Sequence, residues 1–139
     1  MNNKETFINL INKWITIENN SIEMANNLTE KTNNPYLKAL LGVVKSDSEK
    51  HKSILETIKQ CTESPIYFSQ DDLYVLSSFI ERHDTIEKKV LETAKQALDM
   101  AYSPVPKVLL SHIIQDEKSH ESYTDDLEQL KIAMTKQTQ

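Results

Sequence analysis

Glycine is almost missing from this chain: Gly42 is the only one in 139 residues. That excludes glycine-rich loops that cradle phosphate and argues against tight hairpin turns. Cysteine is as scarce. Cys61 stands alone, so no internal disulfide framework is possible, and a reducing, cytoplasmic compartment is expected. Basic runs are absent and the net charge is −5, so nucleic acid is not an expected partner. No apolar run approaches the roughly 20 residues of a membrane span, so no membrane partner is expected either. The first residues, Met1 to Glu5, are polar and lack the apolar core of a signal peptide.

What remains is rich in Lys, Glu and Leu, a composition that favours helix. One domain over residues 1–139 is expected from the length, large enough to bury a core without staples. Asn2 and Glu5 form the pattern of a capping box. The first helix then carries a seam of Ile8, Ile11, Ile15, Glu18, Ile22 and Ala25, and should end near Lys31. A second stripe, Phe7, Leu10, Trp14, Ile17, Met24 and Leu28, predicts a broad apolar face, with Trp14 and Met24 as core packing. Asn34 and Pro35 open the second helix, whose seam reads Leu37, Leu41, Val44, Ser48, His51, Leu55 and Ile58.

The stretch from Cys61 to Phe68 has no helical period. Ser69 and Asp72 then cap a third helix with the seam Leu73, Ser77, Ile80, Asp84, Glu87, Leu91, Ala94 and Leu98. Ser103 and Pro104 open the fourth, with Leu110, Ile113, Glu117, His120, Thr124 and Leu127, running to about Ala133 or Met134 before a frayed tail, Thr135 to Gln139. The fold class expected is all-α: a four-helix bundle made of two helix pairs joined by a connector long enough to cross it.

The two pairs are copies. Shifted by 69 residues, Ile11–His51 aligns without gaps on Ile80–His120, with 12 of 41 positions identical. The matches include Glu18 with Glu87, Pro35 with Pro104, Asp47 with Asp116 and His51 with His120. Charged groups are rarely buried unless paired or bound to metal. Yet Glu18, His51, Asp84, Glu87, Glu117 and His120 all interrupt apolar seams. Four carboxylates cannot share a dry core as bare anions. They need protons, cations or metal, and no Lys or Arg occupies a seam position nearby. Carboxylate-rich sets with one imidazole per ion suit iron or manganese, with zinc also possible. Asp47 and Asp116 read as hydrogen-bond partners of the histidines, and His83, one turn before Glu87, as a spare ligand.

These residues resemble the ferritin-like, rubrerythrin-type non-haem di-iron proteins. That family takes one Glu from each of the first and third helices and a Glu-x-x-His from each of the second and fourth. The resemblance covers about Phe7 to Leu130. It implies a ferritin-like bundle and two iron ions held by Glu18, His51, Glu87, Glu117 and His120. Glu18 and Glu87 would be terminal ligands and Glu117 a bridge. It also implies an oxidoreductase that reacts iron with peroxide or dioxygen, as a peroxidase or ferroxidase would. No cysteine-rich electron-transfer module is present, so an external electron donor is implied, and a homodimer is compatible with the repeat. The departure is Ser48, which stands where the second Glu-x-x-His needs its Glu. Asp84, which the repeat places on the apolar Ile15, would either supply the missing anion or stand at the core edge, hydrogen-bonded to a neighbouring histidine. The alternative is a degenerate bundle with one ion or none, acting as a metal binder, sensor or scaffold.

Overall fold

The computed structural model describes residues 2–138. They form four helices: α1 (Asn3–Thr29), α2 (Pro35–Cys61), α3 (Gln70–Met100) and α4 (Pro104–Thr138). Among the described residues there is no strand, so the all-α, four-helix reading holds. No helix among them is long and apolar enough to cross a membrane. The chain falls into two compact units that divide between Ile66 and Tyr67. In the first, α1 packs on α2; in the second, α3 packs on α4. Each joint is too short to allow anything but antiparallel neighbours.

The helices begin where the sequence predicts. Asn2 accepts the Glu5 amide at 2.8 Å while the Glu5 carboxylate accepts the Asn2 amide at 3.3 Å. Ser69 and Asp72 repeat this box at 3.0 and 2.8 Å. Each such cap contributes about 1 kcal/mol. Asn34 caps α2 by accepting from the amides of Tyr36 and Leu37. The copied start at Ser103 differs. Pro106 occupies the third helical position and has no N–H to give, so the box cannot form there; the Lys107 amide donates to the Ser103 carbonyl at 3.3 Å. α1 stops at Thr29, two residues before the expected end, and α4 continues to Thr138 rather than fraying after Met134. Gln139, the last residue of the expected frayed tail, lies outside the described residues, as does Met1.

Burial follows a seven-residue step. Ile11, Glu18 and Ala25 are the buried residues of α1, and Leu73, Ile80, Glu87 and Ala94 those of α3. The α1 set falls on Ile80, Glu87 and Ala94 under the 69-residue shift, so the repeat read in the sequence is also a repeat in packing. A seven-residue step is the spacing of a narrow helix–helix seam. Neither pair covers more than that. The second stripe of α1, from Phe7 through Trp14 to Leu28, is exposed, and Trp14 and Met24 are not core residues. In α4 the buried residue before the charged pair is Ile114, not Ile113. Ile114 lies three positions before Glu117 and Ile113 four, and the seam takes the shorter step.

Candidate metal centre

The two units hold the same carboxylate in the same place and treat it in opposite ways. In the first unit Glu18 is buried on α1. Its Oε2 accepts the indole N–H of Trp14, one turn earlier, at 3.2 Å. The same oxygen lies 3.1 Å from His51 Nδ1 on α2. A carboxylate only accepts, so the imidazole donates. Both distances are those of ordinary hydrogen bonds. Beside them Ser48, buried on α2, donates to Ser21 Oγ at 2.9 Å. The carboxylate of this half is thus hydrogen-bonded through Oε2, and the two serines pair separately. The His51 side chain remains 50% exposed, so it edges the seam rather than filling it.

In the second unit Glu87 is the most deeply buried charged residue described, with its side chain 2% exposed. Neither of its oxygens has a hydrogen-bond partner. Nor do His83 Nδ1 and His120 Nδ1, which are buried as well. These four atoms face one another. Glu87 Oε1 lies 3.7 Å from His120 Nδ1, and Glu87 Oε2 lies 3.6 Å from His83 Nδ1. Glu117 Oε2 adds a fifth donor atom at 3.5 Å from His120 Nδ1. Glu87, Glu117 and His120 each present one donor atom within 4.8 Å of the others.

The distances carry the interpretation. They are too long for hydrogen bonds. They suit two ligand atoms that share an ion: bonds of about 2.1 Å at a tetrahedral angle put neighbouring ligand atoms about 3.4 Å apart. A buried carboxylate with both oxygens unsatisfied is costly, about 1–3 kcal/mol or more, and native structures rarely keep one without a reason. A divalent cation between Glu87, Glu117 and His120 would satisfy the atoms that those three residues turn toward one another; His83 stands outside that set. The donor set, carboxylate and imidazole without thiolate, suits iron, manganese or zinc.

Exposure gives the site a direction. Glu87 is the closed end at 2%, Glu117 is 17% exposed and His120 41%. The α4 residues of the cluster therefore reach solvent, as does His83 at 28% on α3, while Glu87 does not.

Of the residues singled out from sequence, Glu87, Glu117 and His120 come together in one cluster. Glu18 and His51 come together in the hydrogen-bonded half. Asp84 joins neither described group: half-exposed on α3, it forms an ion pair with Lys88 at 3.2 Å. Its seam position is an edge position, and the lysine one turn on supplies the charge partner that the seam pattern omits. Asp116 pairs with His112 at 3.3 Å along α4, a different histidine from the His120 of the seam. His83, ranked only as a spare, is in direct reach of Glu87. The signal for it was available: the 69-residue shift puts His83 on Trp14, another ring nitrogen four residues before the carboxylate.

No family model, curated protein or solved structure matches this chain.

Proposed function

We propose that this protein binds one transition-metal ion per chain, held on α3 and α4 by Glu87, Glu117 and His120. The observation that carries this reading is the Glu87 carboxylate, 2% exposed with both oxygens lacking hydrogen-bond partners and turned toward the imidazole of His120. Glu87 anchors the ion from the closed side and Glu117 brings the second negative charge. His120 supplies the nitrogen that favours a transition metal over magnesium or calcium.

The reading is one ion rather than the two that the ferritin-like resemblance implies. A second ion would need an equivalent half on α1 and α2. There Ser48 replaces the carboxylate of Glu117, and Oε2 of Glu18 already accepts Trp14 and meets His51 at hydrogen-bonding distance.

We propose iron as the resident ion and an oxidoreductase role toward peroxide or dioxygen, with an external electron donor. Bound iron would supply Lewis acidity and one-electron redox chemistry. The chain's own part is to hold the charge of the ion, exclude water around Glu87, and leave the His120 edge open to a small oxidant. The alternative within the same geometry is a metal binder or sensor without turnover.

Metal analysis of protein purified without added metal tests the reading, together with peroxide consumption under a supplied reductant. One iron per chain with turnover supports the oxidoreductase. One ion without turnover supports the binder or sensor. No ion bound, even after addition of iron, manganese or zinc, ends the proposal. Where an ion binds, it should also raise thermal stability by mass action, by about 2.7 kcal/mol at a hundredfold excess over Kd.

A further inference from the structure

We propose that α1 carries a docking face for a second copy of this chain. None of its residues is placed at the ion, so the proposal is independent of the metal reading. Phe7, Leu10, Trp14, Ile17, Met24 and Leu28 are each between 42% and 59% exposed. Their steps follow a seven-residue repeat from Phe7 to Leu28, and only Ser21 interrupts its apolar character. Ser21 accepts the Ser48 hydroxyl at 2.9 Å inside its own helix pair, so this polar position has a partner of its own. An apolar heptad stripe kept up over three repeats is the pattern of a helix that packs along its length against another helix.

α2 does not fill that role. The residues that α1 buries are Ile11, Glu18 and Ala25. At 3.6 residues per turn the stripe lies roughly 70° around the helix from them. A bundle helix meets neighbours on two flanks. α2 covers one, and the stripe marks the other.

The occupant that fits is the same stripe on another copy. Under the 69-residue shift, α3 has His83 where α1 has Trp14, and Thr93 where α1 has Met24. Among the described residues, the exposed large apolar side chains of α2, α3 and α4 keep no such repeat along their helices. A second α1 matches the pattern throughout and gives the isologous contact of a two-fold dimer. The area is sufficient. Large apolar side chains span about 150–250 Å², so six of them, about half exposed, offer on the order of 600 Å² per copy. Two copies would bury about 1,200 Å², the lower end of stable specific interfaces. Trp14 suits the middle of such a contact. Its indole N–H is already held by Glu18 at 3.2 Å, which leaves the apolar area of the ring for a partner.

Sedimentation velocity of metal-stripped full-length protein, with a chelator present, reads the assembly without any ion to bridge copies. The wild type should sediment at twice the 16.0 kDa chain mass. It should dissociate on dilution with a Kd that is micromolar or below. Trp14 is the only tryptophan, so its emission should move to longer wavelength as the dimer comes apart. Ile17→Glu puts a charge from each copy in the middle of the stripe and should weaken the dimer at least about 100-fold. Ile86→Glu is its counterpart on α3 under the shift, at a residue just as exposed, and should leave the dimer intact. Far-ultraviolet circular dichroism checks that both variants are helical. If Ile17→Glu is not, the wild-type dilution and the Trp14 emission decide. A wild type at the mass of one chain throughout, with emission independent of concentration, overturns the proposal and leaves the stripe to some other occupant. A dimer that Ile17→Glu leaves intact, or that Ile86→Glu breaks as well, overturns it too.

Discussion

Where α1 carries Trp14, α3 carries His83; where α2 carries Ser48, α4 carries Glu117. The central pair between them, Glu and His, is the same in both halves. In the first half the central carboxylate has an indole donor and a histidine at hydrogen-bonding distance. In the second the indole is replaced by the imidazole of His83 and Ser48 by the carboxylate of Glu117, and Glu87 is left with neither oxygen bonded. The comparison teaches that a buried Glu–His pair is not a metal site by itself. What decides is whether its neighbours donate protons or lone pairs. Trp14 donates to its carboxylate, while Ser48 pairs with Ser21 and adds no charge; His83 and Glu117 leave theirs without a hydrogen bond, which supports the proposal of a cation there.

The strongest way to sharpen this comparison is to convert one half into the other. Trp14→His together with Ser48→Glu should give the α1–α2 unit the donor set of the α3–α4 unit. Isothermal titration should then show two ions per chain instead of one, with the new site gaining at least about 100-fold over background, beyond the 10–100-fold scale of supporting residues. A persistent count of one would mean that the halves differ in more than these two side chains.

The two carboxylates should respond to removal with opposite signs. Glu87→Leu in metal-free protein deletes an unsatisfied buried group and should stabilise it by about 1–3 kcal/mol in urea denaturation. Glu18→Leu strands two donors. Both are half-exposed and water can replace part of the loss, so about 1 kcal/mol of destabilisation is expected, followed through the fluorescence of Trp14. Equal signs would break the contrast.

The copied helix starts allow a smaller test. Asn34 caps two amides of α2, so Asn34→Ala should cost about 1 kcal/mol. At Ser103 the third amide is missing because Pro106 stands there. Ser103→Ala should therefore cost less than about 0.5 kcal/mol, checked by the same denaturation curves. Smallest of all is Asp84→Ala. It removes an exposed pair with Lys88 and should change stability by about 0.3–0.5 kcal/mol and the metal count not at all. A lost ion would restore the idea that Asp84 compensates for Ser48.

Helix number, helix starts and the repeat were legible because caps, prolines and a fixed 69-residue shift are local or directly countable features. The cluster proposed as the site was legible for a related reason: Glu87, Glu117 and His120 break apolar seams at helical spacing, and the fold brings them together. What escaped the sequence depended on how wide a face each pair covers. Steps of three and four admit Asp84 and Ile113, whereas the packed seam advances by seven and leaves Asp84 at the edge with Lys88. The Phe7–Leu28 stripe looked like core because it is apolar, but one helix pair covers only a narrow seam. The place of His83 beside Glu87 was harder to read because motif spacing looks for Glu-x-x-His, and this ring nitrogen stands at the reverse spacing.

The most direct measurement counts ions on two matched variants. Native mass spectrometry of Glu18→Gln and Glu87→Gln, each loaded with the same divalent ion, places the charge loss in one half or the other. The account predicts one ion per chain on Glu18→Gln, as on the wild type, and none on Glu87→Gln. An ion lost from Glu18→Gln, or retained at full affinity by Glu87→Gln, would contradict it.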